Sequence, residues 1–272
     1  MIRRLLVANR GEAARRVLAT CRLIGIETVA VYSDADADSP HVAAADWAVH
    51  LPGNAPTATY LRRDLLLAAA RKTSADAIHP GWGMLATDPA FAAAADDAGL
   101  TWVGAPAKLL TALADRPSVV ARLAAAGLPV PPSGGDSSRQ LNGRSPAGRA
   151  RCLEVEILVD PHGNTVSLVE RECSIRRRDQ ALVVESPSPA VSPDLRERLL
   201  TTAARAAGAV GFTGAGTVEF LLTEDGEFHL RGLRPGLSPE HAVTECLVGL
   251  DLVRWELAVA EGSPLPTTDS PP

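Results

Sequence analysis

A single carboxylate, Glu219, sits inside the run Gly216-Thr-Val-Glu-Phe-Leu-Leu222. The β-branched and aromatic residues around it predict a strand. Thr223-Glu-Asp-Gly226 is a turn, Glu227 to Arg231 a short return strand, and Gly232 to His241 an irregular loop entering a helix. A carboxylate on a strand, facing a polar loop across a hairpin, is one way to hold a cation against phosphates. The alternative is a carboxylate in water on one face of a half-buried strand. Glu240 stands where a first-turn acid favours a helix N-terminus. His79-Pro80-Gly81, with Gly83 beyond it, reads either as a rigid turn or as part of a ligand set. Arg171 and Arg176-Arg177-Arg178 form a basic strip that is either solvated or binds an anion or an acidic partner. Asn9-Arg10-Gly11-Glu12 lacks the spacing of a dinucleotide fingerprint and reads as a structural turn.

Those residues need elements to carry them, and the chain has the means. Its 272 residues permit one large domain or two modest ones. Hydrophobic residues make up 46% and aromatics only 4%, so the core is built from small aliphatic groups. A net charge of −5 excludes a general attraction to nucleic acid or anionic lipid. Cys21, Cys152, Cys173 and Cys246 lack metal-ligand spacing and fit a reducing compartment. No apolar run is long enough to span a membrane, and a cytoplasmic location is expected.

Strands are expected at 3–8, 27–32, 47–51, 76–79 and 100–103, alternating with helices near 11–24, 60–72 and 91–98. That alternation predicts an open parallel sheet, a Rossmann-like α/β domain over residues 1–130. Residues 131–150 are rich in Gly, Ser and Arg without periodicity and read as a flexible linker. Residues 151–262 read as α+β, with strands at 153–159, 165–171 and 182–184, a helix capped by Ser192, the hairpin around Glu219, and a helix over 240–260. The tail 263–272 is expected to be disordered.

Six blocks in fixed order carry a family resemblance. They are Val7-Ala-Asn-Arg-Gly-Glu12, Ala30-Val-Tyr-Ser33 with Asp36 and Asp38, and Ala77-Ile-His-Pro-Gly-Trp-Gly83. Then come Glu170-Arg-Glu-Cys-Ser-Ile-Arg-Arg-Arg178, Gly211 to Leu221, and Glu240-His241 with Val243-Thr244-Glu245. The chain resembles biotin carboxylase, the ATP-grasp subunit of acetyl-CoA, propionyl-CoA and pyruvate carboxylases. The resemblance implies a pre-ATP-grasp α/β domain followed by a truncated ATP-grasp portion. It implies an ancestral activity in which MgATP and bicarbonate carboxylate biotin on a carrier protein.

On that resemblance Glu219 matches one magnesium ligand and Glu240 the general base, both as vestiges, and His79, Gly81, Gly83 and Arg176 are cleft candidates. The linker stands in place of the outer lid with its phosphate loop. The second metal-ligand position reads Gly232, the neighbouring asparagine position Arg234 and the catalytic arginine position Gly236. Where the family has histidine and lysine after the arginines, Asp179 and Ala181 stand. Most of the C-terminal body is lacking. A degenerate paralogue is therefore expected, incompetent alone for biotin carboxylation and acting in binding or regulation. The alternative is a biotin carboxylase completed by a partner chain. No cofactor is assigned; MgATP and biotin follow only if the family function is retained. The partners implied are carboxylase subunits or a biotin carrier protein. A family-type homodimer is doubtful, because Ala19 and Leu23 replace a charged pair.

Overall fold

Leu5, Leu6 and Val7 are fully buried, as a strand covered on both faces requires. They form β1 (Arg4–Val7), which pairs in parallel with β2 (Glu27–Tyr32) and β4 (Ala77–His79). With β3 (Trp47–His50) and β5 (Thr101–Trp102) the order is β3-β2-β1-β4-β5, all parallel. A computed structural model describes residues 1–131, 144–145, 148–177 and 180–265 of the protein.

Between the strands run α1 (Gly11–Ile24), α2 (Pro40–Ala44), α3 (Arg63–Thr73) and α4 (Pro89–Asp97). The first buries Ala14, Val17, Leu18 and Cys21, the face its spacing predicts, and Gly25 ends it in the left-handed conformation. The helix expected from Tyr60 begins only at Arg63. Tyr60 is instead fully buried, and its hydroxyl donates to Asp36 at 2.6 Å. After α5 (Ala107–Ala114), α6 (Arg116–Ala125) is capped by Asp115, which accepts from the Ser118 N–H.

Two short pairs, β6 (Arg144–Ser145) with β7 (Gly148–Arg149) and β10 (Arg176–Arg177) with β11 (Gln180–Ala181), are antiparallel. The second large sheet is antiparallel with order β13-β12-β8-β9. It comprises β8 (Arg151–Val159), β9 (Thr165–Glu172), β12 (Gly214–Leu222) and β13 (Phe228–Pro235). The last runs on through Gly232-Leu-Arg-Pro, where a loop was expected. Gly216 on β12 explains the close fit: a Cβ there would lie 2.7 Å from the Arg234 carbonyl and closer still to the Phe212 ring. Residues 182–184 make no named strand; Leu182 N–H reaches Ile175 O, and Glu185 bridges Glu172.

α7 (Pro193–Val210) is capped by the Ser192 hydroxyl, a contact worth about 1 kcal/mol. The helix expected over 240–260 is two, α8 (His241–Val248) and α9 (Leu252–Ala260). Gly249, left-handed at φ 66°, ends the first, and the Asp251 side chain caps the second.

Two compact units result. One comprises Met1–Thr111, Pro235–Pro239 and Asp251–Pro264; the other comprises Ala112–Arg234, Glu240–Leu250 and Leu265–Pro272. The first change of unit along the chain falls within α5, between Thr111 and Ala112. Arg122 on α6 donates to the Ala209 carbonyl on α7, Arg205 donates to the Ala126 carbonyl, and Leu230 N–H to Pro129 O. In turn α9 belongs with the first unit, where Asp251 takes Arg16 at 2.9 Å and Thr20 at 2.6 Å. The expected linker 131–150 and the tail lie largely outside the described residues, as do Arg178 and Asp179. Leu265 is an exception to the expected disorder: it is buried, and its N–H donates to Asp160 at 2.8 Å. Among the described residues no helix is long and apolar enough to cross a membrane.

Candidate functional site

In the first unit the loop after β4 is tied to the loop after β1. Asn9 Nδ2 donates to the carbonyls of Pro80 (2.8 Å) and Trp82 (2.9 Å). Gly81 has φ 66°, and a Cβ on it would stand 2.6 Å from that nitrogen, so only glycine fits. His79 is buried at the end of β4. Its Nδ1 accepts from the Gly81 N–H at 2.9 Å, which leaves Nε2 to carry the proton toward Glu256 Oε2 at 3.2 Å. Both ring nitrogens are thus engaged within the protein. Gly83, at φ 65°, continues the same turn.

The second unit holds the other sequence candidates, and they gather around one row of charges. Glu219 on β12 lies directly opposite Glu154 on β8, and Glu154 lies opposite Arg171 on β9. Arg171 is fully buried. It contacts Glu154 at 3.3 Å and Glu156 more closely, and donates to Thr244 Oγ1 of α8 at 2.8 Å. Strand alternation puts Glu154 and Glu156 on the same face. Two carboxylates opposed across a ladder repel. Here Arg234 relieves them: its Nη2 is 2.8 Å from Glu154 Oε1 and its Nε 2.7 Å from Glu219 Oε1. The first is a hydrogen bond; the second is an ionic contact without hydrogen-bond alignment. Burial works against the Arg234 charge, yet Glu154, Glu219 and Glu240 outweigh it and raise its pKa.

Arg231 adds a longer contact to Glu219, 3.9 Å, and Arg176 another to Glu154, also 3.9 Å. Arg176 is therefore part of the carboxylate cluster and not a free basic strip. Glu240 occupies the cap position of α8 with helical backbone angles, and its side chain makes no capping bond. Its Oε2 is enclosed without a hydrogen-bond partner among the described residues. Three thiols, Cys21, Cys152 and Cys173, are buried and their pKa values raised first by desolvation, that of Cys21 to about 12, so they are poor nucleophiles.

A magnesium ion does not fit this arrangement. Mg²⁺ needs several oxygen ligands and gives up its water reluctantly. Glu219 and Glu154 already share a tethered guanidinium, and Gly232 offers no donor side chain. Sequence reasoning reached Glu219, Glu240 and Arg234 but missed Glu154, Glu156 and Arg231. The signal for the first two was present: two carboxylates spaced i, i+2 in an otherwise apolar strand.

Residues 1–110 match the biotin carboxylase N-terminal domain, and residues 146–268 match the carbamoyl-phosphate synthase L chain ATP-binding domain. The chain is 37% identical to the mitochondrial methylcrotonoyl-CoA carboxylase subunit alpha of Arabidopsis thaliana, over 99% of this chain and 44% of that protein. That alignment runs over 326 positions, more than the 272 residues present, so the plant protein carries segments this chain lacks. Biotin carboxylase 2 of Bacillus subtilis is 33% identical over 97% of this chain and 72% of its own length. The crystal structure of a biotin carboxylase–β,γ-ATP complex from Campylobacter jejuni superposes with a TM-score of 0.92 at 28% identity, covering 99% of this chain and 73% of that one. The chain spans less than half the length of the plant subunit.

Proposed function

The chain belongs to the biotin carboxylase family, and from that premise we propose a paralogue that does not carboxylate biotin by itself and acts as a binding or regulatory component beside a carboxylase. One observation carries this reading: Arg234 lies between Glu154 and Glu219, 2.8 and 2.7 Å away, where a cation would have to sit. Phosphoryl transfer needs mobile or catalytic cations around several developing negative charges. A guanidinium locked to two carboxylates has spent its charge on them. Gly232 and Gly236 add no charged group, and Ala181 adds none on β11. Each lost stabilising group of this kind costs roughly 2.7–4 kcal/mol of transition-state binding.

The partners that suit the reading are a biotin carrier protein and carboxylase subunits. The test has two arms. The purified chain, given MgATP, bicarbonate and free biotin, is expected to show no biotin-dependent ATP cleavage; turnover would overturn the proposal. In sedimentation with purified carrier and carboxylase subunits, a stable complex is expected, and its absence with every subunit would remove the binding role.

A second reading rests on Glu240. An enclosed carboxylate oxygen without a partner is ready to accept a proton once an acid is held beside it. Under this reading a partner chain supplies the missing phosphate-binding groups. It predicts ATP cleavage only in the reconstituted mixture, abolished by Glu240→Gln.

A further inference from the structure

We propose that the open cavity between the start of α7 and the turn after β12 binds a small amphipathic monocarboxylate, a single carboxylate on an aliphatic chain, with Arg151 as its anchor. The inference stands on this cavity and does not depend on the paralogue reading above. The cavity measures about 820 Å³, within the roughly 300–1,000 Å³ typical of small-molecule sites. It lies wholly in the second unit, lined by Leu222 of β12 and Leu195 of α7 among others. Side chains alternate along a strand, so Leu222 points away from the face that carries Thr217 and Glu219. The cavity is therefore on the α7 side of the sheet, opposite the carboxylate cluster.

Its walls supply an apolar bed. Ile175, Ala190, Leu195 and Leu222 face the space. Ile175 is also largely exposed, and Leu182 beside it, whose N–H donates to the Ile175 carbonyl at 2.8 Å, is exposed as well, as is Val183. These three side chains make an apolar ledge that continues the cavity outward. An exposed apolar patch running into a cavity marks a binding surface.

The polar groups choose the head of the ligand. Arg151 Nη1 donates to Glu172 Oε1 at 2.7 Å. Glu172 is itself buried and fixed by the hydroxyls of Ser174 at 2.8 Å and Ser188 at 2.5 Å. Arg151 is thus held at one edge while half of its side chain faces solvent. No other nitrogen of that guanidinium is hydrogen-bonded among the described residues. One guanidinium can serve two carboxylates, as Arg234 does for Glu154 and Glu219. The remaining N–H groups of Arg151 match a carboxylate in geometry and charge. Glu224, in the turn after β12, also lines the cavity and is exposed. It repels a second negative charge, so the ligand carries one carboxylate and lays its chain on the apolar bed.

The intact chain is titrated by calorimetry with butyrate, hexanoate and octanoate, and with suberate, the dicarboxylate of octanoate's length. One saturable octanoate site is expected, weakening at least about fivefold for each two carbons removed, because each buried methylene adds to affinity. Suberate is expected to bind at least about tenfold more weakly than octanoate, and Arg151→Gln to weaken octanoate by a similar factor. That substitution also disturbs the buried Glu172, so Ile175→Asp is the second variant. Its site is exposed, so it is expected to melt like the parent while its new charge weakens octanoate at least about tenfold. Arg15→Gln, on an exposed face of α1, serves as the unaffected control. No saturable site, equal affinity for suberate, or octanoate binding unaltered by Ile175→Asp would overturn the proposal.

Discussion

Glu219 and Glu154 face one another across neighbouring antiparallel strands, and one guanidinium, that of Arg234, serves both. The pairing register alone would set two negative charges against each other. The next strand of the same hairpin carries the compensating cation. The sheet is thus neutralised from within, through a covalently tethered group that no chelator removes.

Replacing that group tests the arrangement. Arg234→Asn combined with Gly232→Glu removes the tethered cation and adds a carboxylate. Mn²⁺ binding, followed by electron paramagnetic resonance, is expected to tighten by at least about tenfold over the parent, equivalent to 1.4 kcal/mol. Unchanged affinity would show that Arg234 is not what closes the carboxylates to metal.

Arg171 is a fully buried charge of the second unit, shared by Glu154, Glu156 and Thr244. Arg171→Ala removes the fully buried cation that contacts Glu154 and Glu156, leaving Glu154 to Arg234 and Arg176, and is expected to cost about 3–5 kcal/mol in urea denaturation. Arg171→Lys restores the charge but not the fork that reaches three partners, so it is expected to recover only part of the loss. Full recovery by lysine would mean charge alone matters there.

Asp160 predicts a pH dependence. Burial pushes its pKa up, but the Asn164 side chain and the backbone N–H groups of Leu265, Asn164 and His162 outweigh that and hold it at about 2. The ordinary value is about 3.9. A depressed carboxylate pKa stabilises the fold above the ordinary value, and the contribution is lost as pH falls toward 2. The stability difference between the parent and Asp160→Asn is expected to be largest above pH ~4 and to shrink below it. A difference independent of pH would assign the role of Asp160 to shape and not to charge.

His79 and Glu256 join β4 to α9 within the first unit. His79→Ala strands a buried carboxylate, whereas Glu256→Gln keeps a hydrogen-bond acceptor for the ring N–H without a charge. The alanine variant is expected to lose about 3–5 kcal/mol and the glutamine variant less than half of that. The double variant is expected to be less damaged than the sum, because the carboxylate and its partner leave together. Additive losses would show that the two residues do not act as a pair.

Much of the scaffold was legible in the sequence, for local reasons. Apolar strands alternating with amphipathic helices announced the parallel sheet, and Ser192 announced its helix through capping chemistry. The order of the six blocks announced the family. Less legible was where elements end. The apparent loop at Gly232 is strand because Gly216 lets β13 lie against β12, a contact between residues far apart in the chain. The helix through Gly249 breaks where that residue turns left-handed, and its second half packs with α1 through Asp251.

The sequence by itself determined which residues are present: one carboxylate on β12, two arginines and two glycines on the return, an acid at the start of α8. Only the tertiary structure decided what those residues are to each other. Ion pairing depends on distance and burial, and both are set by strand register and by the helices laid over the sheet. From its position in the chain, Glu219 reads equally as a metal ligand or as a carboxylate in water. Brought opposite Glu154 and within reach of Arg234, it is one of two carboxylates that share a single guanidinium.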